Sequence, residues 1–216
     1  MARPRRSLTV PLPRPSEVLV TFAAGALAVV PVLRTWALQW GATEAELDAT
    51  LPGDDVVPAA GHVSTRAVSI NAPADRVWPW LVQLGQGRGG FYSYDVLENL
   101  VGCDVHSANR IEAHWQDLAV GDEIRLHPNA DPLVVSEIDP DRALVLRGAP
   151  TPGGLAFTWA FVLRPAPDGG TRLVVRERYG YPRRSVGLLV EPVSFVSFLM
   201  SQAMLRGIKE RAERPA

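Results

Sequence analysis

The first regularity along the chain is an apolar run. Val18 to Leu33 (VLVTFAAGALAVVPVL) carries no charge over sixteen residues and is apolar around its whole circumference if helical. As a helix it measures about 24 Å at about 1.5 Å per residue, somewhat short of a hydrocarbon core of about 30 Å. Arg34 can snorkel and Trp36 and Trp40 can form an aromatic belt, which makes a short span tolerable. An uncleaved signal-anchor, a cleaved signal peptide and a soluble core helix are the three readings open for this run.

Beyond residue 62 the apolar period falls to two. Val63–Ile70 (VSTRAVSI) alternates and is β-branched, which predicts a strand. Arg76–Leu84 (RVWPWLVQL) has helical spacing, with Pro79 expected near the first turn, and glycines at 85, 87, 89 and 90 end it. Ser93–Leu100 predicts a second short helix, with Ser93 as N-cap. Strands then recur at hairpin spacing: Glu123–His127, Leu133–Ile138, Ala143–Arg147, Leu155–Arg164 and Thr171–Tyr179, an antiparallel meander. Ser185–Arg211 returns to helical spacing and predicts one long terminal helix, kinked or started near Pro192. An amphipathic helix laid on one face of such a sheet encloses a cavity.

Composition narrows the class. With 216 residues, 47% hydrophobic and 21% charged, the chain is one globular domain with an appendage, not a disordered or polytopic membrane protein. A net charge of −1 argues against a general nucleic-acid binder, and the single Cys103 excludes an intramolecular disulfide framework and a Cys-rich zinc site. Residues 1–16 hold Arg3, Arg5, Arg6 and Arg14, four prolines and no acid, whereas Glu44, Glu46, Asp48, Asp54 and Asp55 follow the apolar run. If the run spans, this asymmetry predicts a single-pass cell-membrane protein with a cytoplasmic N-terminus and the domain outside; otherwise the protein is cytoplasmic and soluble. The expected organisation is a basic tail over 1–17, a membrane or signal-anchor helix over 18–40, a linker over 41–61 and a domain over 62–212. A Thr43-x-x-Glu46 capping box opens one short helix in the linker.

The passage Ile70-Asn-Ala-Pro-Ala-Asp-Arg-Val-Trp, at the end of the first strand, resembles the signature of the START-like or SRPBCC superfamily, the helix-grip proteins that include polyketide cyclases and lipid-transfer domains. Trp40-Gly-Ala-Thr, Leu51-Pro-Gly-Asp, Gln86-Gly-Arg-Gly-Gly-Phe-Tyr-Ser-Tyr-Asp, Trp115-Gln-Asp-Leu-x-Val-Gly-Asp and Gly207-Ile-Lys-x-Arg-Ala-Glu look like an actinobacterial subfamily with an N-terminal membrane segment. The resemblance covers about residues 36–211. It implies an α+β helix-grip fold, a curved antiparallel sheet wrapped around a long C-terminal helix, with a hydrophobic cavity between them. It implies no reaction, since members include binders, transporters and enzymes.

Gly85-Gln-Gly-Arg-Gly-Gly90 matches G-x-G-x-x-G but follows a helix, not a strand, so the dinucleotide context fails. It is a tight connection, or a gate with Arg88 pairing an anionic ligand group. Phe91, Tyr92 and Tyr94 beside it either line a cavity mouth or pack the helix, and Asp95 either moves a proton or serves the helix dipole. Asp104-x-His106 and Glu112-x-His114 are read as solvated, and no metal site is expected. Phe157, Trp159 and Phe161 share one face of a charge-free strand, as cavity wall or as core. Glu177 is a weak candidate acid if it points inward, or pairs with an arginine on a neighbouring strand. No nucleophile elbow, Walker loop or H-E-x-x-H occurs. The expected function is binding of a small hydrophobic molecule such as a lipid, isoprenoid or polyketide-like compound at a membrane, without cofactor. A cyclase or dehydratase using Tyr92, Asp95 and Glu177, and a partner-binding module with a collapsed cavity, are the alternatives. The oligomeric state stays open.

Overall fold

The computed structural model describes residues 29–148, 155–181 and 187–215, with the backbone alone over 187–195. Two compact units divide the chain, 1–36 and 37–216. Residues 29–38 are helical, and among the described residues no helix is long and apolar enough to cross a membrane. Residues 18–28, most of the apolar run, lie outside the described residues.

The second unit is built as α1 (Glu44–Asp48), β1 (His62–Ile70), α2 (Ala74–Val82), α3 (Asp95–Leu100), a 3-10 turn (Ala113–Trp115), β2 (Glu123–Ile124), β3 (Leu133–Asp139), β4 (Ala143–Gly148), β5 (Ala156–Pro165), β6 (Thr171–Gly180) and α4 (Gly187–Glu213). The six strands form one antiparallel sheet in the order β1-β6-β5-β4-β3-β2, which fits the helix-grip arrangement. Chain order explains most of this pairing, since β2 to β6 are hairpin-connected neighbours. Only β1 pairs across a long separation, with Ser64 opposite Glu177 and Ile70 opposite Thr171.

Side-chain alternation gives the sheet two apolar faces. Ile70, Leu144, Phe161 and Leu173 point to the main core, where Val77 and Leu81 of α2 and Leu205 and Ile208 of α4 meet them. Ala67, Val162 and Val174 point the other way and pack with Leu51 in a smaller cluster. The segment that holds Leu51, read from sequence as a linker, therefore docks on the outer face of the sheet. Three arginines of β6, at positions 172, 176 and 178 on the same face as Val174, hold it there. Arg172 donates from Nε to Glu46 at 2.7 Å, Arg176 donates to Asp54 at 2.7 Å and to the Glu46 carbonyl at 2.7 Å, and Arg178 donates to the Val57 carbonyl at 3.0 Å. The capping box of α1 forms as the sequence predicts, with Glu46 accepting from the Thr43 amide.

Three boundaries differ from the sequence reading. Helix α2 begins at Ala74 after Pro73, so Pro79 falls in its second turn and not its first. Helix α3 begins at Asp95 behind Tyr94; Ser93 does not cap it, because its hydroxyl donates to the Glu98 carboxylate. Strand β2 spans two residues only, and His127 lies beyond it, accepting from the Asn129 amide.

Candidate functional site: an apolar cavity with two carboxyls

A cavity of about 530 Å³ lies between β5, β6, α3 and α4, within the ordinary range of small-molecule sites, about 300–1,000 Å³. Its sheet wall is Phe157 and Trp159 of β5 with Glu177 and Tyr179 of β6. Phe91, Leu97, Val101, Cys103 and Leu126 close one side, and Met200, Ser201 and Met204 of α4 the other. Leu97, Val101, Val196 and Leu199 line it and are also exposed, so it opens to solvent between α3 and α4.

The aromatic wall follows from strand parity. Phe157, Trp159 and Phe161 share a face, and the helix packing against β1 and α2 leaves the far end of that face uncovered. Trp159 stacks obliquely on Phe161 at 4.8 Å and faces Phe91 at 6.4 Å between ring centres. Its indole N–H is buried and has no hydrogen-bond partner among the described residues.

Glu177 occupies the same face two residues beyond Val175. It is 4% exposed, and four donors surround it: Ser64 at 3.1 Å and Ser197 at 3.4 Å on Oε2, Arg66 at 3.4 Å and Ser201 at 3.1 Å on Oε1. Glu177 lines the cavity and pairs with Arg66 of the adjacent strand. Arg66 is 2% exposed and also donates to the Ala37 carbonyl at 3.0 Å. Burial pushes the Tyr179 hydroxyl far above its ordinary range, with the nearby Glu177 charge adding to the shift.

Glu98 is the second carboxyl of the cavity. It is buried on α3; one oxygen accepts from Ser93, while Oε2 has no partner among the described residues. Burial raises its pKa, which the Ser93 hydrogen bond opposes and the Asp95 charge reinforces. Cys103 lies near it, its thiol pushed up by burial and by the Glu98 charge.

The other residues singled out from sequence lie elsewhere. Phe161 is fully buried in the main core. Tyr92 is buried with φ of +56°, its hydroxyl donating to the Trp80 carbonyl at 3.1 Å and its ring under Arg211. Burial raises the Tyr92 pKa, opposed by a hydrogen bond with Gln83 and by the Arg211 charge. Tyr94 is half exposed, and Asp95 accepts from the amide and hydroxyl of Ser107 at 2.7 and 2.6 Å. Arg88 donates to the carbonyls of Val82 and Trp115, so it ties the connection together at a distance from the cavity lining. Gly85 and Gly90 exchange backbone hydrogen bonds at 3.0 and 3.1 Å, which makes Gly85–Gly90 a tight connection. Of the proposed set, Phe91, Phe157, Trp159 and Glu177 converge on the cavity. Among the described residues no three His, Cys, Asp or Glu side chains gather as a metal site.

No protein-family model matches the sequence, and neither does any curated protein. Several solved structures are similar in fold. Truncated norcoclaurine synthase from Thalictrum flavum is 14% identical, with 72% of this chain and 95% of that chain covered and a TM-score of 0.47. Protein jhp0584 from Helicobacter pylori is 12% identical over 76% of this chain and 95% of that one, with a TM-score of 0.48. DynU16, from the dynemicin biosynthetic locus, is 16% identical over 67% of this chain and 46% of that one, with a TM-score of 0.39.

Sequence reasoning missed Glu98, Tyr179, Cys103 and the α4 residues of the lining. Arg66 carried a readable signal: it shares parity with Val68 and Ile70, so an inward Ile70 places the arginine inward and demands a buried acid. Glu98 carried none, because a glutamate between Leu97 and Leu100 is ordinary on a surface helix.

Proposed function

We propose that the domain binds a small, largely apolar molecule in the cavity between the sheet and α4. The observation that carries this reading is the cavity itself: about 530 Å³ walled by Phe91, Phe157, Trp159, Met200 and Met204, and open to solvent between two helices. A concave space of this size with an apolar, aromatic wall is the ordinary form of a small-molecule site. The Trp159 N–H and Glu98 Oε2, unpartnered among the described residues, support an occupant that carries polar atoms. Tethering at a membrane belongs to the same proposal and rests on the Val18–Leu33 run between a basic and an acidic segment. A chain lacking residues 1–36 should then leave the membrane fraction that retains the full chain, and equal partitioning of the two would refute the tether.

Titration with N-phenyl-1-naphthylamine, a neutral apolar probe that brightens in dry surroundings, tests the cavity. Saturable one-site binding by the full chain, lost in a folded Cys103→Trp variant that fills the space, supports the reading. Absence of saturable binding, or binding undiminished in Cys103→Trp, overturns it.

A further inference from the structure

We infer that the molecule this cavity takes is an apolar amine, held as a cation on the carboxyl of Glu98. This inference rests on the binding reading above and specifies its ligand class.

The charge inventory of the lining supports it. Two carboxyls line the cavity, and no Lys, Arg or His does so among the described residues. Glu177 is already satisfied, with four donors on its two oxygens and Arg66 as its counter-charge. Glu98 is different: it is 8% exposed, and among the described residues its carboxyl accepts from the neutral Ser93 hydroxyl alone and Oε2 has no partner. Leaving a buried carboxyl half-satisfied is costly, and native structures rarely do so without a reason. An ammonium group supplies both missing things, a donor for the second oxygen and a positive charge beside the first. The last torsion of a glutamate is broad and two-fold, so a small turn of the carboxyl exchanges its oxygens without moving α3.

The rest of the wall favours a cation over an anion. Phe91, Phe157, Trp159 and Tyr179 present aromatic rings to the space, and the negative face of such rings attracts ammonium groups when water is excluded. A carboxylate ligand, by contrast, would meet two acids. The buried indole N–H of Trp159, which has no partner among the described residues, suits a neutral acceptor on the ligand, such as a hydroxyl or ether oxygen.

Three probes of equal chain length separate the possibilities: decylamine, decanol and decanoate, each titrated into the full chain by displacement of N-phenyl-1-naphthylamine. The amine is expected to bind at least about tenfold tighter than the alcohol, the increment of a charge-assisted over a neutral hydrogen bond, with decanoate weakest. Glu98→Gln keeps the shape and removes the charge, so it should bring amine and alcohol within about twofold of each other. Decanol bound as tightly as the amine, or decanoate tighter than either, overturns the assignment and leaves the cavity reading standing. An amine preference unchanged in Glu98→Gln also overturns it. Failure of all three probes, decanol included, overturns the cavity reading and the inference with it. The ranking on the unmodified protein decides the matter even for a variant that does not fold.

Discussion

Arg66 and Glu177 form a fully buried ion pair, and removing one partner should be far worse than removing both. Arg66→Met keeps most of the side-chain volume but withdraws the cation that faces Glu177 at 3.4 Å and strips the donors from Ser201 and the Ala37 carbonyl. With side chains 2% and 6% exposed, neither partner can turn to bulk water for compensation. Breaking such a pair costs about 3–5 kcal/mol, because a charge is left buried without its counter-charge. For a domain of this size each kcal/mol moves Tm by about 2–4 °C, so the single variant should melt about 6–20 °C lower. The double variant Arg66→Met/Glu177→Met removes the orphaned charge along with the arginine, and replacing a buried pair by apolar groups of similar volume is often neutral or favourable. It should therefore recover at least about 2 kcal/mol of the single-variant loss. Thermal and urea unfolding of the four proteins of this cycle, followed by circular dichroism, give the coupling directly. A single-variant loss below about 1 kcal/mol, or a double variant whose loss equals the sum of the two singles, would refute the reasoning. In either case the pair would be an incidental neighbourhood and not an interaction.

Three further predictions concern other parts of the molecule. The hydrogen bond from Arg172 holds the Glu46 carboxyl at about 2, well below its ordinary value of 4.5; a depressed pKa gives stability that is present above about 4.5 and lost as the pH falls through about 2. By linkage, with solvent screening of the pair discounted, it amounts to about 1–2 kcal/mol at neutral pH. Glu46→Gln should therefore be less stable than the parent at pH 7, with the gap closing between pH 4.5 and 2, and a gap independent of pH would sink the assignment. Gly207 of α4 is the place where the helix touches Tyr92: a Cβ there would stand 2.1 Å from the Tyr92 carbonyl oxygen, so Gly207→Ala should cost about 1–3 kcal/mol by overpacking in an unfolding experiment, and a neutral result would contradict this contact. Trp159 lies in the cavity wall, so Trp159→Phe should abolish most of the change in tryptophan emission on decanol binding; an undiminished change would place the ligand elsewhere.

What the sequence determined is what short-range physics controls. Alternation over 63–70, 155–164 and 171–179 is enough to specify strands to within a residue of the observed bounds, and hairpin spacing is enough to pair most of them in order. The same alternation placed Phe157, Trp159 and Phe161 on one face and Glu177 with Leu173 and Val175 on the other strand's face, so the aromatic wall and one of its acids were legible. Tertiary structure decided which stretch of each face is filled and which stays open. Phe161 and Trp159 are indistinguishable by parity, yet α4 and α2 cover the first with core while the second borders the cavity. It also decided that residues 41–58 belong to the domain, because the arginines that hold them lie more than a hundred residues further along the chain, a separation no local pattern encodes. Glu98 shows the same limit at the site: a helical glutamate reads as surface until a β-strand and a second helix from distant sequence close over it, and only then does its unpaired oxygen acquire meaning.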